Sequence, residues 1–302
     1  LAVIVGGHAL IYKRDSRSSL FWLLLIIFIP WIGIVLYVMF GINRIKRKAQ
    51  SIRAGKASYL TVTDKNRQVI LSEFKDCYDF HIYQNGDEAY PAMLEKIKSA
   101  KKEVLLSTYI FDTDEAGSRF VSEMKSAINR GVHVKVLVDG IGVWYSWFPR
   151  ITKWLKKSRI PYAVFLPSFS PLSVRFMNMR NHRKLMIVDR EISFIGGMNI
   201  RKGHWLSLLP KSPVIDTHFS LRGTIIEELV QQFKEDWEFA GGNNFLNFPS
   251  AFPLKDPPDR FAGRVIIDGP DQEIPRLVKL WMIRIAEAKS TLRIVTPYFL
   301  PD

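Results

Sequence analysis

Apolar positions follow two regimes along this chain. In residues 1–41 they come in solid blocks, and later they recur at helical or strand spacing. The longer block, Leu20 to Gly41, reads LFWLLLIIFIPWIGIVLYVMFG, and no charged residue occurs between Arg17 and Arg44. At 1.5 Å rise per residue, its 22 residues are enough to cross a hydrocarbon layer of about 30 Å, so a transmembrane helix is expected. Pro30 and Gly33 are tolerated in such helices, and Trp22 and Tyr37 suit interfacial anchoring, whereas Trp31 sits too centrally for it. Leu1–Tyr12 is a shorter apolar block. The chain begins with Leu rather than Met and no small-residue cleavage site follows, so this block is read as the end of a first membrane helix. Lys13 to Ser19 would then be a tight polar turn, making 1–43 a transmembrane hairpin with its first helix incomplete.

Residues 44–80 read as a basic juxtamembrane segment and a weakly patterned linker. Alternation of helix and strand periods begins after it. Helices are expected over Ala89–Ala100, Gly117–Arg130 and Thr224–Ala240, the last two stopped by Gly131 and by Gly241-Gly242. Strands are expected over Glu103–Phe111, Val132–Asp139, Lys184–Asp189 and Ile192–Ile195, the last pair joined at Arg190-Glu191. This alternation predicts an α/β layered domain over 81–245. An internal repeat follows: His81–Asp114 and Val265–Asp302 share a strand, a polar turn, a helix ending in Ala-Lys and a second strand closing on aromatics. Residues 246–302 are therefore read as a linker and the unfinished start of a second, similar half.

Charge refines the division. Residues 1–56 carry nine Lys/Arg and one Asp, so most of the net +14 flanks the apolar blocks and is not spread as a nucleic-acid footprint. Six basic residues between Arg44 and Lys56, with no acid among them, put the following domain in the cytoplasm by the positive-inside rule and suit anionic lipid headgroups. The Lys13–Arg17 turn is basic as well. Cys77 is the only cysteine, which excludes a disulfide framework and a cysteine metal site.

The densest chemistry lies in one run, His182 to Asn199. His182 and Lys184 are two apart and share a face if extended. An imidazole can attack phosphorus and form a covalent intermediate, and a neighbouring ammonium can neutralise the charge that builds on phosphate oxygens. Gly196 and Gly197 permit close approach of a ligand, and the Asn199 amide can donate to an oxyanion. Asp189 closes the strand and is expected to brace the hairpin. A basic, aromatic stretch over 142–179 suits either a lipid interface or packing on the sheet, with Ile151–Ser158 as an amphipathic helix.

This run resembles the H-x-K-x4-D-x6-G-[SG]-x-N motif of the phospholipase D superfamily, with His182, Lys184, Asp189, Gly196, Gly197 and Asn199 all on the pattern. Further stretches are similar to bacterial cardiolipin synthases: Pro30 to Gly41, TYIFDTD at 108–114, RGVHVKVLVDGIG at 130–142, Arg180 to Lys184, Asp216-Thr217-His218, and TPYFLPD at 296–302. The sequence departs from that family at Val214-Ile215, where it has Trp-Arg, and it holds no second His-x-Lys-x4-Asp. The resemblance implies a phospholipase D-like layered sheet flanked by helices, preceded by two N-terminal transmembrane helices and truncated before the second motif.

It also implies a membrane-bound phosphatidyltransferase at the bacterial inner membrane that makes cardiolipin and glycerol from two phosphatidylglycerol molecules, using no cofactor and no metal. His182, Lys184, Asp189, Asn199 and Asp216 would be catalytic, with Asp216 orienting the His182 ring. Gly196, Gly197 and His218 would bind substrate, and a structural role for His218 stays open. Either motif histidine of a two-half enzyme could be the nucleophile. A phospholipase D-type hydrolase and an inactive fragment remain alternatives, and homo-oligomerisation is open. Nucleic acid is not expected as a partner.

Overall fold

A computed structural model describes residues 1–12, 16–41, 74–145, 150–167, 180–249, 259–267 and 276–294. The chain divides into two compact units, Leu1–Ser72 with Ile266–Asp302, and Glu73–Val265.

In the first unit, α1 (Ala2–Tyr12), α2 (Ser16–Phe28) and α3 (Pro30–Leu36) are followed by one π-helical turn, Tyr37–Gly41. The apolar block expected to form one spanning helix is thus broken, and among the described residues no helix is long and apolar enough to cross a membrane. The cause is local. Proline disfavours helical geometry in the residue before it, and Ile29 sits at φ −134°, ψ 68°. The chain then doubles back. Trp22 and Tyr37 lie with ring centroids 5.4 Å apart, and a Cβ on Gly33 would fall 2.4 Å from the Leu25 carbonyl oxygen. Ala9, Ile26 and Tyr37 are buried between the helices. The repeat expected from Val265 shows a helix, α9 (Arg276–Glu287), but residues 265–267 and 292–294 are not strand; the rest of that expectation lies outside the described residues.

The second unit is built on one eight-stranded mixed sheet, formed by β1 (Lys75–Gln84), β2 (Glu103–Thr108), β3 (His133–Asp139), β4 (Tyr162–Phe165), β5 (Leu185–Val188), β6 (Ile192–Gly196), β7 (Thr217–Gly223) and β8 (Phe261–Gly263). The order across it is β4-β3-β2-β5-β6-β7-β1-β8. The strands β2, β3 and β4 are parallel, and every other pairing is antiparallel. Between β1 and β2 runs α4 (Asn85–Ser99), between β2 and β3 runs α5 (Glu115–Asn129), and α8 (Ile225–Phe239) follows β7. Two short helices, α6 (Gly142–Tyr145) and α7 (Ile151–Lys157), lie between β3 and β4, with Ile151 and Leu155 of α7 buried.

The sheet is covered on both faces, which is why its inner strands read as continuous apolar runs. Val104 and Leu106 of β2 pack with Met93 and Ile97 of α4 and with Phe120 and Met124 of α5. Leu105 points the other way, onto Ile226, Leu229 and Phe233 of α8. The helix ends follow simple chemistry. Asp114 caps α5 by accepting from the Gly117 N–H at 3.0 Å, and Gly131 leaves the helix at φ +88°, a conformation suited to glycine.

Strand β1 begins at Lys75, six residues before the expected domain start. Asp79 has φ +53° and the register with β7 slips between Tyr78 and His81, so a bulge hides the alternation from the sequence.

Candidate active site

The key topological fact is that β5 runs antiparallel to β2, with Leu185 paired to Ser107. The start of β5 therefore meets the ends of β2 and β3, and the end of β6 and start of β7 reach the same edge, with Gly196 opposite His218. His182, Lys184, Gly196, Gly197, Asn199, Asp216 and His218 come from this one end of the sheet. Asp189 does not. It lies at the far end of β5, five residues or about 16 Å from Lys184 at strand spacing. Its carboxylate accepts from the backbone N–H groups of Lys101, Lys102 and Glu103 at 2.7–2.9 Å. Its observed work is to brace the entry to β2, away from the catalytic position expected from the motif.

Lys184 is buried, and its Nζ donates to the His182 carbonyl at 2.8 Å. It also lies 5.5 Å from the centre of the Tyr109 ring. Among the described residues no carboxylate reaches it as an ion pair. Burial pulls its pKa down to about 8, and the negative charges of Asp216 and Asp139 offset only part of that. The His182 ring packs against Tyr109, centroids 4.8 Å apart, and keeps an exposed edge. Partial desolvation, then the Lys184 charge, push its pKa below the usual histidine value.

His182 itself carries no side-chain hydrogen bond among the described residues, but its neighbours are clamped. The buried Asn181 N–H donates to Asp139 Oδ2 at 3.0 Å, and Asn181 Nδ2 donates to Asp236 Oδ2 at 3.2 Å. The Arg183 guanidinium donates to the same Asp236 oxygen at 2.7 Å, while Gln232 Nε2 donates to Asp236 Oδ1 at 2.9 Å. Asp139 also accepts from the Ile141 N–H at 2.8 Å, so it caps its own loop and anchors the segment before His182. Asp236 was not legible in the sequence. It lies on α8, 55 residues from Asn181, and nothing local marks it.

The Asp216 carboxylate accepts from the Thr217 N–H at 2.7 Å and lies against Gly197, where an added Cβ would come within 2.4 Å of Oδ1. No hydrogen bond to His182 is present among the described residues, so the expected ring-orienting contact is not made here. At Gly196 an added Cβ would come within 2.6 Å of His218 Nδ1. At both glycines the direction a Cβ would take is filled by β7 atoms, so each allows β7 to pack closely, and Gly197 remains exposed. Asn199 Oδ1 accepts from the Ile110 N–H at 3.0 Å, which leaves its NH2 as the group able to donate elsewhere. The Tyr90 hydroxyl holds the Asn199 carbonyl.

His218 is 2% exposed and neither ring nitrogen has a hydrogen-bond partner among the described residues. Desolvation, reinforced by His204 and Lys184, lowers its pKa to about 4, so it is neutral at pH 7. Its burial puts it beneath the site. His204, which carries no sequence signal, is equally buried beside it, and its Nδ1 is likewise unpartnered. No group of three or more His, Cys, Asp or Glu among the described residues is arranged to hold a metal.

Comparison with known proteins fits this arrangement. Residues 93–237 match the family described as "Cardiolipin synthase, PLD-like domain", and residues 1–41 match "Phospholipase_D-nuclease N-terminal". The chain is 29% identical over 320 residues to the major cardiolipin synthase ClsA of Bacillus subtilis (strain 168), covering 96% of this chain and 66% of that protein. It is 30% identical over 332 residues to cardiolipin synthase 1 of Bacillus anthracis, covering 99% of this chain and 65% of that protein. It thus spans slightly less than two thirds of these relatives' own length. Among solved structures it is similar to the phospholipase D family member Nuc from Salmonella typhimurium, with 19% identity, a TM-score of 0.41, and coverage of 53% of this chain and 95% of that one. Residues 93–237 thus match a phospholipase D-like domain, and the chain is similar over nearly its whole length to curated proteins named cardiolipin synthase.

Proposed function

We propose that this chain carries one motif-bearing half of a membrane-attached phosphatidyltransferase that forms cardiolipin and glycerol from two molecules of phosphatidylglycerol. The observation that carries this reading is Lys184. A buried ammonium whose hydrogen-bond partner is a neutral carbonyl has its charge only partly compensated by the more distant Asp216 and Asp139, and a phosphodiester anion supplies the rest. The partly exposed His182 imidazole stands beside it with its lone pair available.

In the proposed sequence His182 attacks phosphorus, the phosphorus–oxygen bond to glycerol breaks, and the departing oxygen takes up a proton. The hydroxyl of a second phosphatidylglycerol then attacks the phosphatidyl-histidine, loses its proton, and frees the imidazole. Lys184 neutralises the non-bridging oxygens and the Asn199 NH2 donates to one of them. Asp216 supports the protonated state of Lys184 through its field. Asp139 holds the backbone before His182, and Asp236 holds the Asn181 and Arg183 side chains on either side of it. The basic residues after Gly41 support a cytoplasmic-facing enzyme.

The test is formation of cardiolipin from phosphatidylglycerol in mixed micelles by the full-length protein. His182→Ala should abolish it and Asp216→Asn should cost less. Full activity in His182→Ala would overturn the reading. If phosphatidic acid accumulated in place of cardiolipin, water would be the acceptor and hydrolysis the reaction.

A further inference from the structure

The helices α1 to α3, in residues 1–41, are inside out relative to a helix cluster built for water. Their polar side chains turn inward: His8 Nδ1 and the Tyr37 hydroxyl share a hydrogen bond of 2.8 Å, and Ser19 and Tyr37 are buried. Their large apolar side chains turn outward. Val3, Ile4, Ile11, Phe28 and Trp31 are each 74–88% exposed. An uncharged surface of this kind requires a non-aqueous neighbour.

That neighbour is met by a hairpin. The helix α2 has 13 residues, about 20 Å at helical rise, against about 30 Å of hydrocarbon. The chain then reverses at Ile29-Pro30 and returns through α3 until Tyr37 stands beside Trp22. Hydrocarbon demands that backbone groups be paired, and the reversal pairs several of its own. The Ile29 N–H donates to Leu25 at 3.0 Å, the Gly33 N–H donates to Ile29 at 2.7 Å, and Pro30 has no N–H to satisfy. The tip carries Phe28 and Trp31 outward.

The flanking charges agree. Three basic residues lie between Lys13 and Arg17, and six lie between Arg44 and Lys56. A helix spanning the membrane would put one of these clusters on each side, against the usual bias of positive charge to one face. A hairpin that returns puts both on the same face, where they meet anionic headgroups.

We propose that residues 16–41 enter one anionic leaflet of a bilayer as a re-entrant helical hairpin and leave by the face they entered, so that both basic segments lie on one side. The proposal goes beyond the phosphatidyl-transfer reading and does not depend on it, since it concerns attachment and not chemistry.

The experiment uses the full-length protein with Cys77→Ser and single cysteines at Ser16→Cys or Asn43→Cys, which leave the charges unchanged. Each variant is treated with a membrane-impermeant maleimide in spheroplasts and in inverted vesicles. Both positions are expected to react in the same preparation. Reaction of one in spheroplasts and of the other in inverted vesicles would overturn the hairpin. Spin labels at Ser18→Cys and Val38→Cys in vesicles give a second, independent measure. On one continuous helix these positions are about 30 Å apart, so a separation below about 20 Å is expected and one near 30 Å would overturn the proposal.

Discussion

At Lys184 a buried ammonium with a pKa of about 8 shares a site with an imidazole whose pKa is lowered. The two shifts set a pH window for the proposed reaction. His182 must be neutral to attack, and its lowered pKa keeps it so further into acid than an ordinary histidine. Lys184 must be protonated, and it loses its charge as pH rises through about 8. The rate should therefore fall on the alkaline side near pH 8, and Lys184→Arg, charged at every working pH, should lose that limb in whatever activity it keeps. A pH–rate profile of cardiolipin formation checks both. Asp189→Ala should behave differently. It strands three backbone N–H donors at the far end of the sheet, at about 1–3 kcal/mol for each buried group left unpaired. Thermal denaturation should register the loss, while the Michaelis constant of the folded fraction should stay put. Asp236→Asn removes the charge that holds Arg183 and leaves an acceptor for Asn181. A fall in kcat of about tenfold with little change in KM is expected, equal to about 1.4 kcal/mol in the barrier. Unchanged kcat would deny Asp236 any hold on His182. The motif residues were legible because they lie in one short run. Asp236 and His204 were not, because their contacts join segments far apart in the chain.

Elements with strong periodicity and clear stops were legible. The helices α5 and α8 end within a residue or two of where glycines predicted, and β3 and β6 follow their apolar runs. Three features escaped for separate reasons. The bulge at Asp79 disguised the start of β1. Strand β4 has only four residues, set in an aromatic stretch that reads equally as loop or interface. The apolar block after Ser19 has the length of a spanning helix, and only the tertiary contacts of Tyr37 reveal that Pro30 reverses it. The hairpin between β5 and β6 turns at Asp189 and Arg190, both at positive φ, one residue earlier than expected. Arg190 is held there by its 2.6 Å ion pair with the buried Glu103. On α8, Phe233 is 1% exposed and fills the layer against Leu105 and Ile187. Phe233→Ala should cost about 3–5 kcal/mol, read as a lowered midpoint in denaturant.

On the scale of the molecule, charge and apolar surface would hold the proposed hairpin to a bilayer in different ways. Attraction of the basic segments to anionic headgroups is screened by salt, whereas burial of Phe28 and Trp31 is not. Washing membranes with about 1 M salt should leave the protein in the pellet, and detergent should release it. Release by salt alone would mean that the apolar side chains do not reach hydrocarbon. The sheet has a further consequence at this scale. It thins toward both margins, ending in β4 with four residues and β8 with three. A long bare edge invites recruitment of strands from neighbouring copies, and margins this narrow present few free backbone groups for it. Short margins of this kind limit such recruitment, and with it the growth of fibres from copy to copy.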